Sequence, residues 1–141
     1  MQDAPTSQEL ISTVAQFLTT ELAPTLNDPR LKFRALVAAN VLHIVARELE
    51  MGEAQMQSEC ARLNGLLNEN VSSENVREDV ENMTRVLSQK IRAGDADEGA
   101  FHVEVFAHLE QTIIEKLQVA NPKYLERLLK ETANLRESTR I

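Results

Sequence analysis

One cysteine, Cys60, is the only thiol in the chain, so no internal disulfide can form. The cytoplasm is the compartment this usage predicts. Tryptophan is absent and tyrosine occurs once, so a core must be built from aliphatic side chains. Four glycines and four prolines are too few for a linker-rich or disordered chain. No apolar run approaches the roughly 20 residues that a membrane-spanning helix needs. The opening MQDAPTSQEL lacks the basic and then apolar pattern of a signal peptide. Positive charge is also in deficit. The formal net charge is −7, and no cluster of Lys and Arg reverses it locally. Nucleic acid and anionic membrane surfaces are therefore excluded as expected partners.

What remains is the composition of an ordinary globule. A chain of 141 residues with 43% apolar and 26% charged content predicts a single domain over 1–141. A domain of this size buries roughly 68–70% of its unfolded surface, enough for a core without metal or disulfide support.

The periodicity is helical throughout. Thr6 and Glu9 have capping-box spacing at the start of helix one, followed by Leu10, Ile11, Val14, Phe17, Leu18 and Leu22. Pro24 and Pro29 bracket a turn-rich connection. Helix two is predicted from about Arg30 to Met51, with Gly52 just past its end. Helix three carries Met56, Cys60, Leu63 and Leu67. Ser73 or Asn75 can cap helix four, whose single stripe is Val76, Val80, Met83, Leu87 and Ile91. Gly94 ends that helix and Asp97 offers the next cap. Helix five, about Glu98 to Val119, has Val105, Phe106, Leu109, Ile113 and Leu117 as its expected core arc. Asn121 and Pro122 open helix six, with Tyr124, Leu125, Leu128, Leu129 and Leu135. The tail from about 136 to 141 is expected to fray. No strand pattern and no internal repeat occurs. The prediction is an all-α single-domain bundle of five to six helices with short connections.

Helix two raises the question of a site. On a wheel, Asn40, His43, Arg47 and Glu50 step by three, four and three to form one polar ribbon. Arg34 and Glu48 fall elsewhere, flanking Val37 and Val41. Two readings stand. In the first, the ribbon meets water while Arg34 and Glu48 pair with other helices, Glu9 and Glu21 being candidate partners for Arg34. In the second, Asn40, His43 and Arg47, with Arg34, bind an anionic ligand, since arginine reads carboxylates and phosphates bidentately.

Other chemistry is sparse. His102 and His108 are six apart and face different ways, His102 in the apolar arc and His108 on the polar face. Glu104 with His108 has the spacing of helical metal ligands, but the paired Glu-x-x-His set of a di-iron bundle is missing. No metal, cofactor or catalytic residue is expected. Cys60, between Met56 and Leu63, reads as a small core residue. Nucleophile-elbow, phosphate-loop and dinucleotide fingerprints are absent. Glu78, Glu81 and Arg85 read as a solvated face, with Glu81–Arg85 and Glu126–Lys130 as i, i+4 pairs. The helix-six leucines cover a wide arc, leaving apolar surface for a partner.

The stretches PTSQELISTVAQFL, RALVAANVLHIVARELEMG and KLQVANPKYL together resemble a bacterial family of small all-helical domains of unknown function. Its members are typically encoded beside an acyl-CoA dehydrogenase-like enzyme and an aminoglycoside-phosphotransferase-like kinase. The resemblance implies a helper role in a pathway that activates and oxidises an acyl or alcohol substrate. The family's helix two often reads F-H-x-R-V-A-A-N. This chain keeps Phe33, Val37, Ala38, Ala39 and Asn40 but has Arg34 and Leu36 where that pattern has His and Arg. The expected function is a non-catalytic accessory protein that binds a protein partner or forms a homo-oligomer. The alternative is an anionic or acyl small-molecule binder, or an enzyme, using the pocket beside helix two.

Overall fold

A computed structural model describes residues 4–71 and 74–138, with side chains to 134. The fold is all-α, with no strand among the described residues. The elements are α1 (Ser7–Phe17), a π-helical turn (Leu18–Leu22), the short α2 (Ala23–Thr25), α3 (Pro29–Leu67), α4 (Val76–Ala93), α5 (Gly99–Ala120) and α6 (Pro122–Ser138). The chain divides into two compact units. One is Met1–Gly52 with Val119–Asn121, the other Glu53–Gln118 with Pro122–Ile141.

In the first unit, Thr6 and Glu9 form the expected capping box, each side chain accepting the other residue's backbone N–H. The π-helical turn has a local cause. Pro24 has no N–H for the carbonyl four residues back, which breaks the regular ladder. The hydroxyls of Thr19 and Thr20 donate to the carbonyls of Ala15 and Gln16 at 2.9 Å. A turn at residues 26–28 leads into α3, and Gln8 Nε2 donates to Glu50 Oε2 at 2.9 Å. The start of α1 thus lies beside Glu50, so α1 and the first half of α3 form an antiparallel hairpin. Small residues make its seam: Ala15 and Ala23 before the turn, Ala39 and Ala46 after it, all buried.

Gly52 does not end a helix. α3 passes through it and stops at Asn68, the residue in left-handed conformation (φ 52°). An internal glycine costs only about 1 kcal/mol relative to alanine, and the following Glu53, Ala54, Gln55 and Met56 are good helix formers. The Asn64 amide then grips the chain leaving the helix. Its Nδ2 donates to Val71 O at 3.0 Å, and its Oδ1 accepts from Val71 N at 2.9 Å.

The second unit has its core where α3, α4 and α5 meet: Leu63, Leu66, Met83, Leu87 and Val105 are buried together. Cys60, Leu67, Val80 and Phe101 pack around them. The expected stripes of helices three and four are thus the ones used, with Ile91 at the exposed end. Asn75 caps α4 through its side chain, while Ser73 lies outside the described residues. Gly94, at φ 89°, ends α4 as predicted. α5 starts at Gly99, one residue later than expected, and α6 starts at Pro122. α6 continues to Ser138, and residues 139–141, with the side chain of Leu135, lie outside the described set.

α5 is turned differently from its predicted orientation. Of the expected arc only Val105 is buried. Leu117 is half-buried, and Phe106, Leu109 and Ile113 are exposed. The buried positions are Val105, His108, Thr112, Glu115 and Val119, at steps of three, four, three and four. A long-range ion pair lies on this inward face.

Candidate functional site

That ion pair is Arg62 on α3 with Glu115 on α5. Arg62 Nη2 lies 2.6 Å from Glu115 Oε2 and Nη1 lies 2.9 Å from Oε1, a parallel two-point contact. Nη1 also donates to Ser58 Oγ at 2.8 Å, and Gln111 Nε2 donates to Glu115 Oε1 at 3.0 Å. Thr112 Oγ1 accepts from Nη2 at 3.4 Å. Burial alone would raise the Glu115 pKa, but hydrogen bonds from Arg62 and Gln111 and the Arg62 charge hold it below the usual carboxylate range. His108 sits two turns before Glu115 and is 7% exposed. Burial, reinforced by the Arg62 charge, lowers its pKa, so the ring is neutral at pH 7. Its Nδ1 and the Nε of Arg62 have no hydrogen-bond partner. A shallow cleft of about 450 Å³ opens beside them, with Gly65 and Glu104 on its rim.

Chemically, this cluster is saturated at its charged end. The carboxylate is ionised and fully engaged, which suits it neither to donate a proton nor to attack. Cys60 is similarly quiet. Burial, and then the negative charge of Asp79, raise its thiol pKa. Among the described residues no group of three His, Cys, Asp or Glu side chains is arranged to hold a metal ion. His102 offers Nδ1 to the Ala96 carbonyl at 2.8 Å and stacks at a tilt on Phe106.

The helix-two ribbon lies in the first unit. Asn40 and His43 are exposed and Arg47 is half-buried, all on one side of the hairpin. Arg47 Nε donates to Val119 O at 2.7 Å, satisfying a carbonyl in the last turn of α5. Arg34 is exposed and projects from the other side, so it does not join the three. Glu9, one candidate partner for Arg34, is taken by the Thr6 N–H at 2.7 Å.

A larger concavity lies between α5 and α6. It holds about 620 Å³ and is walled by Leu109, Ile113, Leu117, Leu125, Leu128 and Leu129. Glu110 and Thr132 are its polar edge, and among the described residues no cation lines it. This groove is what the wide leucine arc of helix six was expected to leave. The buried polar row on α5 was not anticipated. Its signal was present as His108, Thr112 and Glu115 at helical spacing, but their partner Arg62 is 53 residues from Glu115.

Residues 24–124 match the model of a family described as a domain of unknown function, DUF6285. The chain belongs to that family. The matched stretch takes in α3, α4 and α5 and stops three residues into α6. No curated protein and no solved structure matches the chain. Family membership agrees with the resemblance carried by the helix-two run.

Proposed function

We propose that this chain is a cytoplasmic, non-catalytic accessory protein that seats an apolar helix of a partner enzyme in the α5–α6 groove. The observation that carries this reading is the groove itself. Ile113 and Leu129 are 55% and 51% exposed, although both belong to amphipathic helices that have a core available. Exposed apolar surface of that extent marks binding sites, and an open groove between helices suits a helix laid into it. The acidic edge at Glu110 favours a segment with a basic flank over an anionic acyl thioester. The partners to test are the kinase-like and acyl-CoA dehydrogenase-like enzymes that the family resemblance implies.

Co-purification of the tagged full chain with each enzyme tests this. A complex at micromolar concentration, lost in Ile113→Glu or Leu129→Glu, is the expected result. No complex with either enzyme, or one indifferent to both substitutions, overturns it.

A second reading places an anionic ligand at Asn40, His43 and Arg47. Its support is that the three side chains share one accessible side of α3. A thermal-shift screen of acyl-CoAs, acyl phosphates and nucleotides would give a hit that Arg47→Ala removes. A screen without hits, or hits that survive Arg47→Ala, rejects it.

A further inference from the structure

We propose that two copies of this chain associate through the open face of the α1–α3 hairpin, with α3 antiparallel to α3 and the two-fold axis at Val41. The inference concerns a different surface from the α5–α6 groove and does not depend on it.

The face is apolar and uncovered. Along α3, Phe33, Val37, Val41, Val45 and Leu49 recur every four residues and are 67, 45, 51, 39 and 55% exposed. Their centre on the wheel is Val41, well away from Ala39 and Ala46, which are buried in the seam with α1. α1 behaves alike. Leu10, Val14 and Phe17 are 49, 49 and 47% exposed while Ala15 is buried. In both helices the exposed arc is displaced from the buried alanines in the same rotational sense, viewed down each helix. For antiparallel neighbours this tilts both arcs toward one side of the hairpin, each pointing mainly away from the other helix. Asn40, His43 and Arg47 occupy the other side. With about half of each side chain exposed, the five α3 residues present on the order of 450 Å², the scale of a small interface of under about 600 Å² per partner.

The charges on this face identify the occupant as a second copy. Arg34 and Glu48 are both exposed and stand on the apolar face, close to the line through Val41. Each is seven residues from Val41, one toward either end. In an antiparallel pair centred on Val41, residue i lies level with residue 82 − i of the other copy. Arg34 then meets Glu48 twice, once at each end. The apolar residues obey the same symmetry: Phe33 is level with Leu49, Val37 with Val45, and Val41 with itself. A parallel pairing would instead set Arg34 on Arg34 and Glu48 on Glu48 and leave like charges desolvated together. Such a pattern is self-complementary, as a two-fold contact requires.

Sedimentation of the full chain at micromolar concentration is expected to give a dimer. Arg34→Glu and Glu48→Arg should each weaken it by about tenfold or more, and the double reversal should restore it. Both residues are exposed, so circular dichroism should show the singles still folded. Val41→Cys should form a disulfide-linked dimer on mild oxidation, with the parent chain as control for Cys60. A monomeric parent overturns the proposal, even if that monomer binds a partner enzyme. So does a dimer that both single reversals leave intact, or one lost in Ile113→Glu but retained in Arg34→Glu, which would locate the contact at the groove instead.

Discussion

Arg62 and Glu115 meet through two parallel hydrogen bonds of 2.9 and 2.6 Å on the inward-turned face of α5. Removing one partner leaves the other half-buried and uncompensated. Arg62→Met is expected to cost roughly 3 kcal/mol in urea unfolding. The double variant Arg62→Met with Glu115→Leu should recover most of that loss, because two apolar groups of similar size need no compensation.

The same cluster predicts a stability profile in acid. In the unfolded chain His108 takes up a proton near its ordinary value of 6.5, whereas burial resists that proton in the fold. Its contribution is complete above pH 6.5 and is lost progressively as pH falls below it. Glu115, held below its ordinary 4.5, contributes fully above that value and loses its contribution as pH falls through the lowered one. Unfolding free energy measured against pH should therefore fall in two stages. His108→Gln should flatten the first and Glu115→Gln the second. An unchanged slope in either variant would reject the corresponding assignment.

Asn64 acts on the chain beyond α3 as a backbone group would, giving and receiving one hydrogen bond with Val71. Asn64→Leu should cost about 1–3 kcal/mol, since both Val71 groups lose their partner. Faster amide exchange at Val71, with the α4 amides little changed, is the measurement that isolates this effect from a global one.

Burial separates leucines that the sequence pattern treats alike. Leu63 is 0% exposed and Leu129 is 51% exposed. Leu63→Ala should cost about 2–5 kcal/mol and Leu129→Ala under about 1 kcal/mol. Equal losses in thermal or urea unfolding would mean that the groove is closed in the free chain.

Gly52 is a helical glycine whose missing methyl group would meet Glu48 Oε1 at 2.9 Å. That carboxylate is the far end of a flexible exposed side chain and can move aside. Gly52→Ala is therefore expected to stabilise the protein by about 0.5–1 kcal/mol through helix propensity. A destabilised variant in urea unfolding would show that the Glu48 side chain is held where it lies.

What the sequence made legible was local. The Thr6–Glu9 box, the Asn75 cap and the Gly94 stop each depend on residues within a turn of one another. The α4 stripe was legible because its apolar face is single and narrow. Gly52 misled because a glycine can end a helix or be carried through one, and the outcome rests on modest propensities of its neighbours. α5 misled for a different reason. Its apolar residues outnumber the inward positions, and the inward face carries a carboxylate whose partner, Arg62, is 53 residues away. The role of Arg47 was hidden in the same way, because the carbonyl it satisfies belongs to Val119, 72 residues away.

The π-helical turn at Leu18–Leu22 has a consequence for deletions in this segment. Such a turn holds one residue more than a regular helix requires, so the stretches before and after it are out of phase by roughly 100°. Deleting one codon, that of Thr19 or Thr20, would close the turn into ordinary helix and swing Ala15 out of the seam. A shortening by one residue here is therefore expected to cost more stability than a replacement of Thr19 or Thr20, because only the deletion changes the phase of the two stretches.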